Sequence, residues 1–418
     1  MADVQYRRFP AGCTDEGPDV QTRAWMTARY NGFLQAEPSA DQRAAVAGAW
    51  QDEGRILHAI HDRGPRPDTA LSPDVPVATL ATIGASLNAG EDEDIPCTLI
   101  ADVTVRATHQ GQGLMRRLME AVTTEAVDAG VPLLALHAAH PALYARFGFS
   151  PAIRSSTVEV DCARFALLRD PPGTVHAADP RHADEQARAV AASSGPYRFG
   201  ALAVTHPARN QQPDDEHPAR CLVHADERGN VDGVLTYVFR GWTPQAQVLD
   251  VLSETYSTFD AHAALWQAIS STGIASTVCA TDMRPDDPLP WMLTDRAAWR
   301  VTGLNDGYSL RIVDPARALL MRGYSAADAQ LAVDVTDRTG PASGRWLIRL
   351  SGGRASIEPT SRAADVTLDV AELAASFLGT TNPTTLLSAG RVTASRAAAN
   401  GLDTLLGWPV QASSTLHF

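Results

Sequence analysis

Cys97-Thr98-Leu99-Ile100-Ala101-Asp102-Val103-Thr104-Val105, Arg106-Ala107-Thr108-His109-Gln110-Gly111-Gln112-Gly113 and Leu114-Met115-Arg116-Arg117-Leu118 form one continuous stretch. The first segment is β-rich, the second a polar turn with two glycines. In the third, Leu114, Leu118, Val122 and Ala126 recur every four residues, which predicts a helix from about Leu114 to Ala129, closed by Gly130 and Pro132. A strand that delivers a glycine turn to a helix start gathers unpaired backbone N–H groups and the positive end of the helix dipole at one point. Such a point binds an anion, typically a pyrophosphate. Glycine lets a phosphate approach the backbone, and Arg116 and Arg117 could add charge. Two nucleotide sites are excluded. Arg116 stands where the dinucleotide fingerprint needs its third glycine, and the chain contains no lysine, which the triphosphate loop requires.

Working outward, polar loops at Gly64 to Pro76 and Asn88 to Pro96 flank a strand at Val77 to Ser86. A short buried strand (Val131 to His137), a turn at His140-Pro141 and a short helix through Tyr144 complete a first unit. After about Phe165 the pattern restarts. A helix (Ala183 to Ser194), a polar loop, strands at Ala219 to Ala225 and Val231 to Phe239, a helix at Ala261 to Ser270 and a strand at Ala275 to Ala280 predict a second α/β unit. From about Leu310 short strands (Leu331 to Val335, Gly344 to Leu350, Ala355 to Glu358, Val366 to Val370) and helices (Val370 to Leu378, Leu402 to Leu406) predict a third. Units are therefore expected at 1–165, 166–309 and 310–418.

Composition bounds what these units can do. At 418 residues the chain exceeds one ordinary core, and 44% apolar with 20% charged residues is globular. The formal charge of -13 repels nucleic acid and anionic membranes and favours cationic acceptors such as amines. Lysine's absence removes Schiff-base chemistry. The five cysteines (Cys13, Cys97, Cys162, Cys221, Cys279) are scattered and odd in number, which predicts a reducing compartment without zinc or disulfides. With no signal-peptide core at the start and no apolar run of about 20 residues, a cytoplasmic protein is expected. His58-x-x-His61 has the spacing of a helical metal pair, but without a third ligand it reads as two histidines on a helix surface.

The glycine turn is followed by Tyr144-Ala145-Arg146-Phe147-Gly148-Phe149. Together they resemble the GNAT acetyltransferase superfamily, whose signature is Gln/Arg-x-x-Gly-x-Gly/Ala after a strand and Tyr-x-x-x-Gly-Phe about 30 residues later. Met115 departs from the first motif's last position. More closely, VTVRATHQGQGLMRRLM, HPALYARFGFSPA and Arg284-Pro285-Asp286-Asp287-Pro288-Leu289-Pro290-Trp291 are similar to the Eis (enhanced intracellular survival) family of N-acetyltransferases, over nearly the whole chain.

That resemblance implies an α/β (α+β) fold of tandem GNAT domains followed by a sterol-carrier-protein-like domain, with a degenerate cofactor site in the second. It implies acetyl-CoA as co-substrate, no metal, and self-association, as hexamers in the family. Val103 and Val105 would pair with the pantetheine arm, and Gln110, Gly111, Gly113 and Leu114 would surround the pyrophosphate. Where the family has arginines at the first two loop positions, Gln110 and Gly111 leave the task to backbone amides. Tyr144 would be the general acid, and the Phe418 C-terminal carboxylate the base. Asp102, His140 and His417 fall at acceptor-side positions; in the family these are aromatic, acidic and acidic respectively. Either histidine could serve as a base or lie idle on the surface, Tyr144 could be simple sheet packing, and the tail could be docked without a role. The expected activity is acetylation of an amine on a small molecule or peptide. The alternatives are a natural-product biosynthetic or self-resistance acyltransferase, and a non-catalytic ligand-binding protein acting through its C-terminal domain.

Overall fold

The computed structural model describes residues 4–90, 94–193, 199–204, 217–242, 247–325, 328–338, 340–416 and 418. The expected polar loop after the helix Ala183–Ser193 lies mostly outside them, at 205–216. Three sheets organise the chain. The first, of eight strands, runs Val4–Pro10, Ile56–Asp62, Ala78–Leu87, Ile95–Val105, Leu133–Leu136, Ser309–Ile312 and Ser150–Pro151, with Leu202–Ala203 added beside Ala78–Leu87. Thr174–Ala178, Arg220–Ala225, Val231–Trp242, Gln247–Tyr256, Thr277–Met283, Arg154–Asp161 and Trp299–Asp306 form the second. The third runs Arg354–Pro359, Gly344–Ser351, Ala329–Thr336, Val366–Asp369 and Val392–Ala394.

Three strands cross the boundaries expected from sequence. Arg154–Asp161 belongs to the second sheet, between Thr277–Met283 and Trp299–Asp306, although it precedes residue 165. Leu202–Ala203, inside the expected second unit, pairs with Ala78–Leu87 of the first sheet. Ser309–Ile312 straddles the expected 309/310 boundary and returns to the first sheet, antiparallel to Leu133–Leu136. Hydropathy alternation marks a strand but not its partner, so none of these crossings has a local signal.

The helices divide the faces of the first sheet. Leu114–Asp128 lays Leu114, Leu118, Val122 and Ala126 against Leu80, Ile100, Leu134 and Leu136 on one side. On the other, Val20–Gly32 and Ala40–Asp52 bury Trp25, Met26, Tyr30 and Trp50 over Leu57, Ala59 and Ala81. Beyond them the same side is covered by the third unit: Leu99, Leu133, Leu310 and Ile312 share a core with Val333, Leu368, Leu373, Phe377 and Leu402. The buried ion pair of Arg311 with Asp337 (2.9 Å) reinforces this junction. First and third units are therefore one hydrophobic body. Among the described residues no helix is long and apolar enough to cross a membrane.

The second unit repeats the strand–helix–strand layout of the first. Gln247–Tyr256 and Thr277–Met283 pair in parallel across the helix Phe259–Ser270, as Ile95–Val105 and Leu133–Leu136 do across Leu114–Asp128. Its helix start differs. Thr258 caps it by accepting from the Ala261 N–H, Asp260 in the first turn pairs with Arg169, and His262 is buried between Glu254 (2.7 Å) and Asp287 (3.2 Å).

His58 and His61 lie on the strand Ile56–Asp62, not on a helix, and both are buried. His58 hydrogen-bonds Tyr6 (2.8 Å) and Thr82 (3.0 Å), while His61 Nδ1 lies 3.2 Å from the Pro73 carbonyl. A spacing of three puts their side chains on opposite sheet faces, so they cannot share an ion.

Two predictions follow from this packing. Leu310 is fully buried in the strand that joins the units; Leu310→Ala should cost about 2–5 kcal/mol and lower the urea midpoint of a single transition. Two separated transitions for the first and third units would contradict the shared core. Burial, and secondarily the charge of Arg8, depresses His58 to about 3. The unfolded chain takes up that proton below about 6.5 and the folded chain does not, so stability should fall as pH drops below about 6.5. His262 has the opposite sign: burial lowers its pKa, but Glu254 and Asp287 outweigh this and raise it to about 10. Its contribution is complete below about 6.5 and is lost towards pH 10. Melting temperature against pH should thus peak near neutrality, with the acid limb flattened in His58→Gln and the alkaline limb in His262→Gln.

Candidate active site

The site begins where two parallel strands part. Ile95–Val105 pairs with Leu133–Leu136 from Cys97↔Leu133 to Ile100↔Leu136, and there the second strand ends while the first runs on to Val105. Against Ala78–Leu87 the register slips between Thr79↔Thr104 and Ala81↔Ala101, so two residues, Asp102 and Val103, oppose Leu80 alone. This is a β-bulge, and Asp102 takes φ +53 in it. On the side facing away from Ala78–Leu87, the Ala101–Val105 backbone has no strand partner among the described residues. An extended, amide-bearing chain could pair there as an extra strand. Val103 and Val105 of this stretch, with Met115, Ala138 and Tyr144, are half-buried apolar groups packed against the core that Leu114–Asp128 covers.

At its mouth stands the glycine turn. Gly111 (φ +75) and Gly113 (φ +79) are both left-handed, and nothing approaches within 4 Å of where their Cβ atoms would stand. Backbone conformation, not crowding, therefore demands glycine, and the space above the turn is open. Gly113 is the N-cap of Leu114–Asp128 and has no side chain to cap it, so the first-turn N–H groups face outward. Gln110 and Gly111 are exposed, and Leu114 is buried beneath. The preceding Arg106 and His109 tether the turn to the Val75 and Pro76 carbonyls and to Asp62. Arg117 bonds the Val4 carbonyl. These features fit a pyrophosphate with a pantetheine arm.

Tyr144 lies on the short helix Pro141–Ala145, its ring edge-on to Phe149 at 6.2 Å. Burial raises its hydroxyl above the ordinary tyrosine value, so it holds its proton through the neutral range. The adjoining Gly148 has φ +80, and a Cβ there would meet the Arg311 guanidinium and the Val370 side chain. Arg311 also donates to the Phe147 carbonyl. The tyrosine motif is thus clamped from behind by the third unit.

The chain's end packs on the residue that follows Leu133–Leu136. His137, the residue after Leu133–Leu136, has Nε2 3.1 Å from the Leu416 carbonyl, and its ring is 4.8 Å from that of Phe418. His140 is exposed at the N-cap of the Tyr144 helix. His417 lies outside the described residues. Among the described residues no cluster of three or more His, Cys, Asp or Glu could hold a metal.

Comparison with known proteins accords with this geometry. Residues 22–152 and 203–312 each match the model of the acetyltransferase (GNAT) domain, and residues 315–413 match the sterol carrier protein domain. An uncharacterized N-acetyltransferase of Streptomyces griseus is 31% identical over 403 residues, covering 91% of this chain and 92% of the relative. N-acetyltransferase Eis of Mycobacterium tuberculosis is 30% identical over 322 residues, covering 71% and 74%. The chain belongs to the Eis family of N-acetyltransferases. The fold agrees: Eis1 from Mycobacterium abscessus superposes with a TM-score of 0.81 over 100% of both chains at 22% identity. A GCN5-related N-acetyltransferase from Kribbella flavida gives 0.75 over 99% of both, also at 22%. The protein is thus a GNAT-type acetyltransferase, an activity that draws its acyl group from acetyl-CoA.

Asp102 is held in this Eis-type fold by two arginines, Arg29 Nε (2.6 Å) on one carboxylate oxygen and Arg55 Nη1 (2.8 Å) on the other. Thr79 donates to its carbonyl at 3.0 Å, so the bulge is fixed from both side chain and backbone. Arg29, Arg55 and Thr79 were missed by sequence reasoning, as was Arg311, since nothing in their local patterns marks them. Arg55 is 2% exposed, and its other carboxylate partner is Glu53. Asp102→Ala should therefore leave the buried Arg55 guanidinium with Glu53 alone and release Arg29, costing about 1–3 kcal/mol. Acetyl-CoA should also bind more weakly in calorimetry as the bulge relaxes. An unaltered affinity would rule out the bulge as the shaper of the cleft.

Proposed function

We propose that this Eis-family enzyme acetylates an amine of a small molecule or peptide by direct transfer, with Tyr144 as general acid and the Phe418 terminal carboxylate as base. The observation that carries the reading is the docking of Leu416 and Phe418 against His137, beside the helix that bears Tyr144. Val103 and Val105 would pair with the pantetheine arm, and Gln110, Gly111, Gly113 and Leu114 would hold the pyrophosphate, through backbone amides more than side-chain charge. Acetyl-CoA supplies an activated thioester. The chain's own groups move the protons: the carboxylate takes one from the attacking nitrogen as the C–N bond forms, and Tyr144 returns one to sulfur as the C–S bond breaks. A phenol raised above its usual value suits the second role, because it stays protonated at neutral pH and meets a thiolate of ordinary basicity. A carboxylate is a weak base in water, and exclusion of water by the bound acceptor would strengthen it.

His140, exposed beside the tyrosine helix, remains available to orient the acceptor or relay its proton. The second unit, whose helix start is occupied by the Thr258 cap, Asp260 and the His262 cluster, is read as taking no cofactor. A cytoplasmic location and self-association, as hexamers in the resembled family, belong to the same proposal.

Removing Phe418 should lower kcat by about 100-fold or more while acetyl-CoA still binds, and Tyr144→Phe should do the same. Mass-spectrometric screening of amines with acetyl-CoA identifies the acceptor for these assays. Full turnover without Phe418 would exclude the carboxylate as base.

A further inference from the structure

From Gly407 onward the described chain contains no helix or strand, so the position of its terminus depends on a few discrete contacts. Trp408 stacks on Phe199 with centroids 4.9 Å apart and planes 16° from parallel. The Ser413 N–H donates to the Phe199 carbonyl (3.0 Å), and Ser414 Oγ accepts from the N–H groups of Leu202 and Leu416 (both 3.3 Å). His137 then meets the Leu416 carbonyl. Between the Trp408 stack and the Ser413 contact lies one bond of a different kind: the Gln411 N–H donates to Asp286 Oδ2 at 2.8 Å.

Asp286 is well supported for that task. It belongs to the segment Arg284-Pro285-Asp286-Asp287, which the domain fold alone does not explain. Arg284 reaches both of its oxygens, with Nη2 3.1 Å from each and Nε 3.2 Å from Oδ1. The neighbouring Asp287 is fixed by the Leu289 N–H (2.8 Å) and by His262 (3.2 Å). His262 is in turn held by Glu254, whose other oxygen accepts from Trp266 (3.1 Å). Buried, charged hydrogen bonds thus run from the core of the second unit to Asp287, and its half-buried neighbour Asp286, held by Arg284, carries the contact to the tail.

We propose that Asp286 is a positioning residue for the Phe418 carboxylate, so that the second unit serves catalysis by clamping the tail that crosses it. This rests on the reading of Phe418 as the base. A misplacement of about 1 Å at a reacting group can cost about a hundredfold in rate, so loosening one anchor of an irregular strap should register in turnover.

The test uses the full chain and two readouts. Carboxypeptidase A reports how readily the terminus leaves its site, independently of any acyl acceptor. Asp286→Ala, and Gln411→Pro, which removes the same bond from the tail side, should each speed Phe418 release about tenfold. Each should also lower kcat by a similar factor, with the KM for acetyl-CoA unchanged. Asp286→Asn, which keeps an acceptor for the Gln411 N–H, should stay near the unaltered protein. Adding Asp286→Ala to the chain lacking Phe418 should change nothing further. Unchanged Phe418 release in both variants overturns the clamp, and a further loss of kcat in the shortened chain shows a merely structural role and overturns it equally. Faster release in a protein for which deleting Phe418 costs nothing leaves the clamp standing and overturns the carboxylate as base.

Discussion

The two ion pairs of Asp102 are the constraint on which the rest of the site depends. A non-glycine residue at φ +53 inside a strand is costly, and it persists where the surroundings hold it. Arg29 and Arg55 do so from one side of the sheet, and Thr79 holds the carbonyl within it. The consequence lies on the strand's other edge. Past the bulge, Val103 and Val105 no longer follow Leu133–Leu136, and the two strands open into a wedge. The wedge is therefore a defect in strand pairing, held open by charge.

The first and third units together build the surroundings of that wedge. The glycine turn and Tyr144 come from the first, but Tyr144's own motif is braced by Arg311 and by Val370 of the third. Ser309–Ile312, reached only after the second unit has been traversed, inserts between Leu133–Leu136 and Ser150–Pro151. The first sheet is complete only once the chain has passed through the second unit, and its exposed face is covered only when the third packs on it.

The two GNAT-type units show how one layout supports opposite electrostatics. Both send a strand into a helix and back into a parallel strand. In the first, Gly113 leaves the helix start uncapped and open to an anion. In the second, the Thr258 side chain takes the Ala261 amide, Asp260 supplies negative charge in the first turn, and buried His262 lies between two carboxylates. The first arrangement leaves its N–H groups for a ligand, while the second spends them internally, on packing and on the turn at Arg284–Asp287.

Much of this was legible in the sequence wherever the information is local. The period of four from Leu114 to Ala126 and the alternation from Cys97 to Val105 predicted elements that the structure places within about two residues. The glycine turn needs only backbone conformation, so its residues announced it. What the sequence could not carry was partnership. His58 and His61 read as a helical pair because a spacing of three is helical, but pairing with Val4–Pro10 and Ala78–Leu87 made the segment a strand. The ion pairs of Asp102 had no local sign either, because its arginines come from residues 29 and 55, far off in the chain. The sequence by itself determined the three-unit order, the anion turn and the tyrosine motif, since each is set by neighbours along the backbone. Tertiary structure alone decided the exchanged strands, the charged bulge and the course of the tail, because hydrogen-bond and ion-pair partners at long separation leave no local periodicity.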